Sequence, residues 1–349
     1  MPQKWLAAGF NTFRQLSELD GDVKEFQSIS NDTDDVVLST WSSLVVQKPN
    51  VIASVGHTQW TQKVENNTVL RSVVGDHDGF QAALDDTGRL YLSCPAGSGF
   101  TLADTAASPS LAFLAMAGNG RVACIFSQAP NGNLAHVGEF TTLEAFKAWH
   151  LEPTDPKNYP VAHHMVPGRP KQLIAGMASF AMLMNNDNLY TWGDPRHRSL
   201  GRSTIGSDAT SADKPGLVEA LAGLKLRKIA LGGWMGSALS EDGAAYLWGS
   251  GMPGKEAELE CLKSKKGELV TLVELDAEDE PDVIDVSIGN GHAVLATADG
   301  RVFVVGENAH GQLGLLGSAF QESWTYVPGI RHVTRVMCGS KSTLLLQEL

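Results

Sequence analysis

The sequence predicts an all-β protein, a seven-bladed β-propeller whose ring is closed by pairing N-terminal strands with a C-terminal half-blade. Three observations lead to this fold class. Glycines recur in pairs at a fixed spacing, hairpin signals lie between the members of each pair, and the two ends of the sequence carry complementary half-units. We assign residues 1–349 to a single propeller domain.

Three copies of the repeat are strong. Two strand-length apolar runs in each copy flank a turn signal such as EDG, ADG or NDN, which is typical of a tight β-hairpin. Glycines at the strand ends favour a close backbone approach or a bulge where blades converge. The members of each glycine pair are separated by 17 positions in all three copies: Gly176 and Gly193, Gly232 and Gly249, and Gly289 and Gly306.

Three weaker copies precede the strong ones. Their spacings are 17, 19 and 20 positions, and the two larger values fit hairpins lengthened by two or three residues. The positions that correspond to the glycine pair are Ser39 and Gly56, Gly75 and Cys94, and Gly118 and Gly138. The six units are predicted at 36–56, 69–94, 111–140, 171–201, 226–254 and 283–315.

The seventh unit is divided between the two ends of the sequence. Residues 332–349 supply its first half, with Gly339 as the first glycine, and residues 4–17 supply its second half. Two half-units that complete one another imply a ring without an exposed sheet edge. The aligned residues are Gly9 with Gly306, Asn11 with Asn308, and Gln15-Leu16 with Gln312-Leu313.

The bulk composition narrows the function. The net charge is −12 and the pI is about 5.3, so the overall field opposes direct binding to nucleic acid or anionic lipid. No stretch approaches the roughly 18 apolar residues of a membrane span, and the first residues do not read as a secretory leader. A cytoplasmic or nuclear protein is therefore expected, with no membrane partner.

No catalytic residue, cofactor site or metal site is predicted. The sequence contains no GxSxG, HExxH or phosphate-loop pattern. His163 and His164 are adjacent in a Pro-rich stretch that we assign to a solvated loop between blades. The cysteines lie outside CxxC pairs and zinc spacings: Cys94, Cys124, Cys261 and Cys338.

The repeat resembles the regulator-of-chromosome-condensation repeat family. The unit of that family begins with a segment like SIGNGHAVLATADG and ends in a tail like GENAHGQLGL, as residues 283–315 do here. The match is good in 171–201 and 226–254, recognisable in GFNTFRQL (9–16), and faint in 36–140. The resemblance implies the propeller fold for the whole chain.

The resemblance also implies candidate functions. The founding member exchanges nucleotide on a Ran-type GTPase and sits on nucleosomes, others are binding modules in large proteins, and a few are small stand-alone propellers. This chain is closest in type to stand-alone members such as the fungal alpha-tubulin suppressor, an accessory protein in Elongator-dependent tRNA wobble-uridine modification and in diphthamide synthesis.

A non-catalytic scaffold, monomeric or in a heterodimer, is therefore expected. Its implied partner is another protein, either a small metal-binding protein or an Elongator component. Two alternatives stay open: an exchange factor for a Ran-type GTPase or chromatin-linked propeller, and an adaptor of a JmjC-type oxygenase.

Candidate partner-binding residues lie where the copies of the repeat differ. Trp41 and Trp234 each come two residues after the first repeat position of their blades. In blade 6 the corresponding residue is Gly291, and His292 follows it directly. Two interpretations are open for the tryptophans: packing residues at one end of the channel, or anchors for a partner, since Trp is enriched in binding hot spots. The other blades place there His77, Gly120, Ala178, Gly291 and Lys341.

One turn and two insertions complete the candidates. The turn GDPRHRSLGRST (193–204) is the most basic local surface and would suit an acidic partner. Insertion 139–156 predicts a short helix packed against the propeller, and the acidic insertion 255–282 predicts a solvated loop or a contact for a basic partner. The basic residues of the turn are Arg196, His197, Arg198 and Arg202.

Overall fold

A computed structural model describes residues 2–29, 35–65, 68–94, 98–105, 107–127, 132–251, 254, 258–263, 268–276 and 281–349. These residues form seven four-stranded antiparallel sheets, and the innermost strands of consecutive sheets contact one another. Arg335 Nη1 lies 3.0 Å from Asp35 Oδ1, which joins the last sheet to the first. The predicted seven-bladed β-propeller is confirmed. In the described ranges, no helix combines the length and the apolar character that crossing a bilayer requires.

The strands of blades 1 to 3 run from the channel outwards in chain order. Blade 1 contains β3 (Asp35–Ser39), β4 (Ser43–Lys48), β5 (Val51–Gly56) and β6 (Trp60–Lys63). Blade 2 contains β7 (Leu70–Asp76), β8 (Gly79–Asp85), β9 (Leu90–Ser93) and β10 (Phe100–Leu102). Blade 3 contains β11 (Leu111–Met116), β12 (Val122–Phe126), β13 (Leu134–Phe140) and β14 (Ala162–Pro167).

Blades 4 to 6 follow the same order. Blade 4 contains β15 (Pro170–Ala175), β16 (Ser179–Met184), β17 (Leu189–Gly193) and β18 (Gly216–Leu217). Blade 5 contains β19 (Leu226–Gly232), β20 (Met235–Ser240), β21 (Ala245–Gly249) and β22 (Val270–Leu272). Blade 6 contains β23 (Val283–Ile288), β24 (His292–Thr297), β25 (Val302–Glu307) and β26 (Phe320–Tyr326).

Blade 7 closes the ring from both ends of the chain. Its inner strands are β27 (Val333–Cys338) and β28 (Ser342–Glu348), and its outer strands are β1 (Gln3–Gly9) and β2 (Val23–Ser28). β1 pairs with β28 without a break in register, from Gln3 opposite Glu348 to Gly9 opposite Ser342. The closure predicted from the two half-units is therefore confirmed.

Each sheet also has a fourth, outer strand that lies outside the ranges assigned to the repeat copies. These strands vary in length from two residues in β18 to seven in β26. They therefore share no recurring sequence pattern from which the repeat could have predicted them. The loop assignment of His163 and His164 was wrong for this reason, because both lie in β14. Strand β14 pairs with β13, and His164 Nε2 lies 2.7 Å from Oε1 of the buried Glu139.

The insertion after β13 forms the predicted helix, α1 (Leu143–Leu151). Thr142 caps its N-terminus by accepting a hydrogen bond from the Ala145 amide. The helix packs its apolar face into the core between blades 2 and 3, as expected. The buried residues on that face are Leu143, Phe146, Trp149 and His150.

The seven inner strands surround the central channel. Each of them has a register irregularity near its start, the mark of a β-bulge. We call the end that carries the first-to-second and third-to-fourth strand connections of each blade the upper face. The opposite end, with the second-to-third turns and the connections between blades, is the lower face.

Candidate partner-binding surface on the upper face

The first repeat position of every blade lies at the narrow upper end of the channel. Direct backbone hydrogen bonds join neighbouring blades there, including Gly118 N to Gly176 O at 3.0 Å and Met177 N to Gly233 O at 2.7 Å. A Cβ at Gly118 would lie 2.8 Å from Met177 Sδ, so these glycines have a packing role. The seven residues line a cavity of about 230 Å³: Ser39, Gly75, Gly118, Gly176, Gly232, Gly289 and Gly339.

The second repeat glycine ends the third strand in a left-handed conformation. A Cβ at any of these positions would fall on the backbone of the turn between the first two strands of its own blade. The values of φ are +128° at Gly9, +114° at Gly56, +123° at Gly193, +97° at Gly249 and +103° at Gly306.

Gly138 was wrongly equated with these glycines. It pairs with Cys124 inside the sheet, and the position opposite Val122, the first residue of β12, is held by Phe140. The alignment therefore slips by two residues in blade 3, because Gly138 offered the nearest glycine to the template.

The aligned tails of blades 6 and 7 fold in the same way on the upper face. Asn308 Oδ1 accepts from the Leu313 amide, and Asn11 Oδ1 accepts from the Leu16 amide. The Nδ2 amide of each asparagine also donates to carbonyls of the loop that follows the third strand. In each of the two blades, a single buried side chain therefore pairs several backbone groups of that loop. The alignment of Asn11 with Asn308 is confirmed by this shared hydrogen bonding.

Trp41 lies in an aromatic and basic group where blades 6, 7 and 1 meet. Its indole ring stacks on Phe10 at a centroid distance of 5.8 Å, and Lys341 Nζ lies 5.3 Å from the indole centroid. Gln15 Nε2 donates to the Trp41 carbonyl, which fixes the blade 7 loop to blade 1. These contacts support a packing role at the ring closure. The Trp41 cluster comprises Phe10, Phe13, Trp41, His57, His310 and Lys341.

The fold brings Trp234 together with two residues of the basic turn. The His197 ring lies 4.8 Å from the Trp234 ring, and Arg196 Cζ lies 5.3 Å from the same ring. We call Arg196, His197 and Trp234 the Trp234 cluster. The Arg196 side chain is 70% exposed, and its hydrogen bonds hold the pKa of Asp194 below its ordinary value. The sequence did not predict this contact, because Trp234 and the turn are far apart in the chain and lie in different blades.

Two residues of the same turn have a strained backbone. His197 and Arg198 both have left-handed values of φ, +59° and +56°, although neither is glycine. Arg198 is exposed, and within the described ranges no carboxylate lies at ion-pair distance from it. Beside the turn is a cavity of about 180 Å³ whose lining includes His197, Arg198 and Leu259.

Arg202 was wrongly assigned to the exposed basic surface. The residue is only 6% exposed, and burial lowers the pKa of its guanidinium. All of its donors point to backbone carbonyls, one in β17 and four in the loop between β17 and β18, so it holds that loop against the strand. The acceptors are the carbonyls of Thr191, Ser203, Thr210, Ser211 and Lys214.

His292 was also wrongly proposed as a partner-binding residue. Its side chain is fully buried at the start of β24, below the upper face. A Cβ at Gly289 would overlap the imidazole, so the missing side chain of Gly289 is what makes room for this ring. Burial lowers the pKa of His292 to about 4, which keeps the ring neutral at pH 7.

This buried imidazole makes stability depend on pH. The unfolded ring takes up a proton below about pH 6.5 while the folded ring resists it until about pH 4, so lowering the pH favours the unfolded state. Between pH 7 and pH 5 we expect His292 to cost about 2 kcal/mol of unfolding free energy. Urea denaturation of the wild type and His292→Gln at both pH values measures this difference, and parallel losses in the two proteins would contradict it.

Metal-ligand types meet at one point in the described ranges. Asp76, His77 and Asp78 place ligand atoms within 4.8 Å of one another on the upper turn of blade 2. His77 and Asp78 are exposed, and the group offers no buried ligand. Of the insertion 255–282, residues 255–257, 264–267 and 277–280 lie outside the described residues, and with them most of its acidic end.

Family models match the last two blades of the chain. A model described as the Regulator of chromosome condensation (RCC1) repeat matches residues 283–312, and a second with the same description matches residues 299–346. These residues cover β23 to β28, the region where the repeat pattern is strongest.

Two curated proteins show what the chain is similar to. RCC1 domain-containing protein 1 of Mus musculus is 28% identical over 211 residues, which cover 52% of this chain and 54% of that protein. The probable E3 ubiquitin-protein ligase HERC6 of Homo sapiens is 30% identical over 178 residues, which cover 50% of this chain and 16% of that protein. The chain thus spans about half of the first protein and a small part of the second.

A solved structure shows the same fold over the full chain. The crystal structure of Prp20p from Saccharomyces cerevisiae superposes with a TM-score of 0.71, covering 100% of this chain and 92% of that chain. The sequence identity is 14%, so this likeness concerns the fold alone.

Proposed function

We propose that this seven-bladed propeller, which carries regulator-of-chromosome-condensation repeats, is a non-catalytic scaffold that binds a protein partner on its upper face. The binding surface is the Trp234 cluster with the neighbouring Arg198. The observation that carries the proposal is the exposed arginine beside a half-buried tryptophan, a combination enriched in interface hot spots.

The strained turn supports the choice of this surface over the Trp41 cluster. Left-handed backbone at a non-glycine residue costs about 1–3 kcal/mol and concentrates at functional sites. His197 and Arg198 adopt it in sequence, whereas the loop at the Trp41 cluster has it at Arg14 alone and the contacts of Trp41 are accounted for by ring closure. Blade 5 therefore presents the aromatic anchor Trp234, and blade 4 presents the positive charges of Arg196 and Arg198.

An acidic segment of the partner fits this surface. Arg198 has no carboxylate at ion-pair distance among the described residues, and the exposed Arg196 is a second cation of the same turn. Carboxylates of a partner would approach these groups while an apolar side chain covers the exposed part of Trp234. Charge complementarity of this kind sets specificity and the association rate.

The repeat resemblance suggests the specific partner. The first candidate is a small metal-binding protein or an Elongator component, which would make the chain an accessory subunit in tRNA wobble-uridine modification and diphthamide synthesis. The second candidate is a Ran-type GTPase, because Prp20p, which shares the fold, is described by its binding to Gsp1p and histones.

An affinity pull-down with the tagged chain, quantified by mass spectrometry, separates the candidates. Enrichment of a small metal-binding protein or of Elongator supports the first. Recovery of a Ran-type GTPase, with faster nucleotide release at catalytic amounts of this protein, supports the second and counts against the first.

Replacing Trp234 with alanine is expected to weaken binding of the recovered partner by about tenfold or more, since hot-spot truncation removes at least 1.4 kcal/mol. Arg198→Glu should weaken it further by reversing the charge that meets the partner. Surface plasmon resonance with the purified partner gives both affinities.

The matched control is Tyr159→Ala, which removes an aromatic ring that is 53% exposed on blade 3. This variant should bind as the wild type does. Unchanged affinity in Trp234→Ala, with the fold intact by circular dichroism, would remove Trp234 from the site.

A further inference from the structure

The central channel has a second candidate site at its lower mouth, opposite the surface discussed above. The wide part of the channel has a volume of about 620 Å³, within the range of ligand-binding pockets. Its lining among the described residues includes four cationic side chains and no carboxylate, in a chain with a net charge of −12. The cations come from four different blades: Arg71, Lys171, Lys228 and Arg335.

Two of these cations are neutralised by aspartates of the neighbouring blades, one buried and one half-exposed. Lys228 Nζ lies 2.5 Å from Asp285 Oδ1, and Arg335 Nη1 lies 3.0 Å from Asp35 Oδ1. Asp285 also accepts the Val336 amide, so it joins blades 5, 6 and 7. These two pairs serve the interfaces between blades.

The other two cations have no carboxylate at ion-pair distance in the described part of the chain. Lys171 Nζ donates to Leu226 O at 3.0 Å, and Arg71 Nη2 donates to Asp86 O at 3.1 Å. An ammonium has three donors and a guanidinium five, so each side chain keeps donors that backbone carbonyls do not use. Both side chains are exposed, and both occupy the bulge of an inner strand.

The wall above these cations is apolar and half-buried. Val73, Ile174 and Met337 line the channel beyond the charged mouth, each from a different inner strand. A ligand that fits both parts has a negative group for the mouth and an apolar group for the wall. Walls of low dielectric strengthen the field of the two free cations along the channel.

We propose that the lower mouth binds an acidic peptide segment of a protein partner, with one carboxylate at Arg71, another at Lys171 and an adjacent apolar side chain inside the channel. This site is separate from the Trp234 cluster and stands whether or not that cluster binds a partner. Charge complementarity and the apolar wall together favour such a peptide over a purely ionic ligand.

Fluorescence anisotropy with a fluorescein-labelled octapeptide of alternating Glu and Leu tests the proposal. The double variant Arg71→Gln/Lys171→Gln should bind at least tenfold more weakly than the wild type. The variant Lys63→Gln, which removes an exposed cation from the outer strand β6, should bind as the wild type does. Equal affinity of the double variant and the wild type would overturn the proposal.

Two further probes separate the alternatives. A peptide of alternating Glu and Ser should bind at least fivefold more weakly, because it lacks the apolar group. Inositol hexakisphosphate tests for a small polyanion site, and binding of this compound through Arg71 and Lys171 without binding of the Glu–Leu peptide would overturn the peptide assignment.

A measurement on the wild type covers the case in which the double variant does not fold. The Glu–Leu peptide carrying a photoreactive benzoylphenylalanine should crosslink to the inner strands that line the channel, such as β7, β15 and β27. Crosslinks confined to outer strands or to the upper face would overturn the proposal.

Discussion

Replacing Gly249 with alanine is expected to lower the free energy of unfolding by about 3 kcal/mol or more. Gly249 ends β21 with φ of +97°, and a Cβ there would fall on the Trp234 carbonyl and lie 3.0 Å from Met235 Cα. Both obstacles are backbone atoms, so no side-chain rotation can relieve the overlap. Urea denaturation followed by circular dichroism measures the loss.

Gly138→Ala is the matched control for this substitution. Gly138 does not have a left-handed φ, and the nearest atom to its Cβ would be Phe126 Cε2 at 3.3 Å. We expect a loss of less than about 1 kcal/mol, since a small shift of the phenyl ring makes room. Equal losses in the two variants would mean that the left-handed position is not what requires glycine.

Replacing Arg202 with alanine is the second large effect, a loss of about 3 kcal/mol or more. The substitution leaves four carbonyls of the loop between β17 and β18, and that of Thr191 in β17, without this donor. Hydrogen exchange should show that the loop opens locally before the propeller unfolds. Hydrogen exchange measures the local opening of the loop, and differential scanning calorimetry measures unfolding of the whole propeller.

Arg198→Ala tests the same turn without touching its interior. Arg198 is exposed and carries no such network, so its removal should change stability by less than about 0.5 kcal/mol. Its effect should appear in partner binding instead. A large stability loss in Arg198→Ala, with none in Arg202→Ala, would reverse the roles assigned to these two arginines.

The fold could be predicted from the sequence because backbone geometry repeats and demands glycine. Gly249 and Gly306 occupy the same left-handed position, and Ser39 takes the place of a glycine at the channel end without disturbing the spacing. The outer strands were not predicted from the repeat, because they pair on one side only and tolerate sequences as different as GL in β18 and FQESWTY in β26.

The candidate site was predicted less well, because exposure depends on three-dimensional packing. Arg198 and Arg202 lie four residues apart in one basic turn, yet one is exposed and the other is buried. Phe10 and Phe13 were missed because their contact with Trp41 crosses the ring closure. The meeting of Trp234 with His197 likewise depends on the packing of blade 5 against blade 4.

The split blade sets the order in which the protein can assemble during synthesis. Strand β1 leaves the ribosome first, whereas its partner β28 follows all the other strands, so blades 1 to 6 can pair while blade 7 waits. During that interval β1 can pair with β2 but lacks β28, so the β1 edge that the folded sheet covers is left unpaired. If β1 and β2 of one chain pair with β28 of another, the two chains form a domain-swapped dimer, a misassembly that this split blade makes accessible.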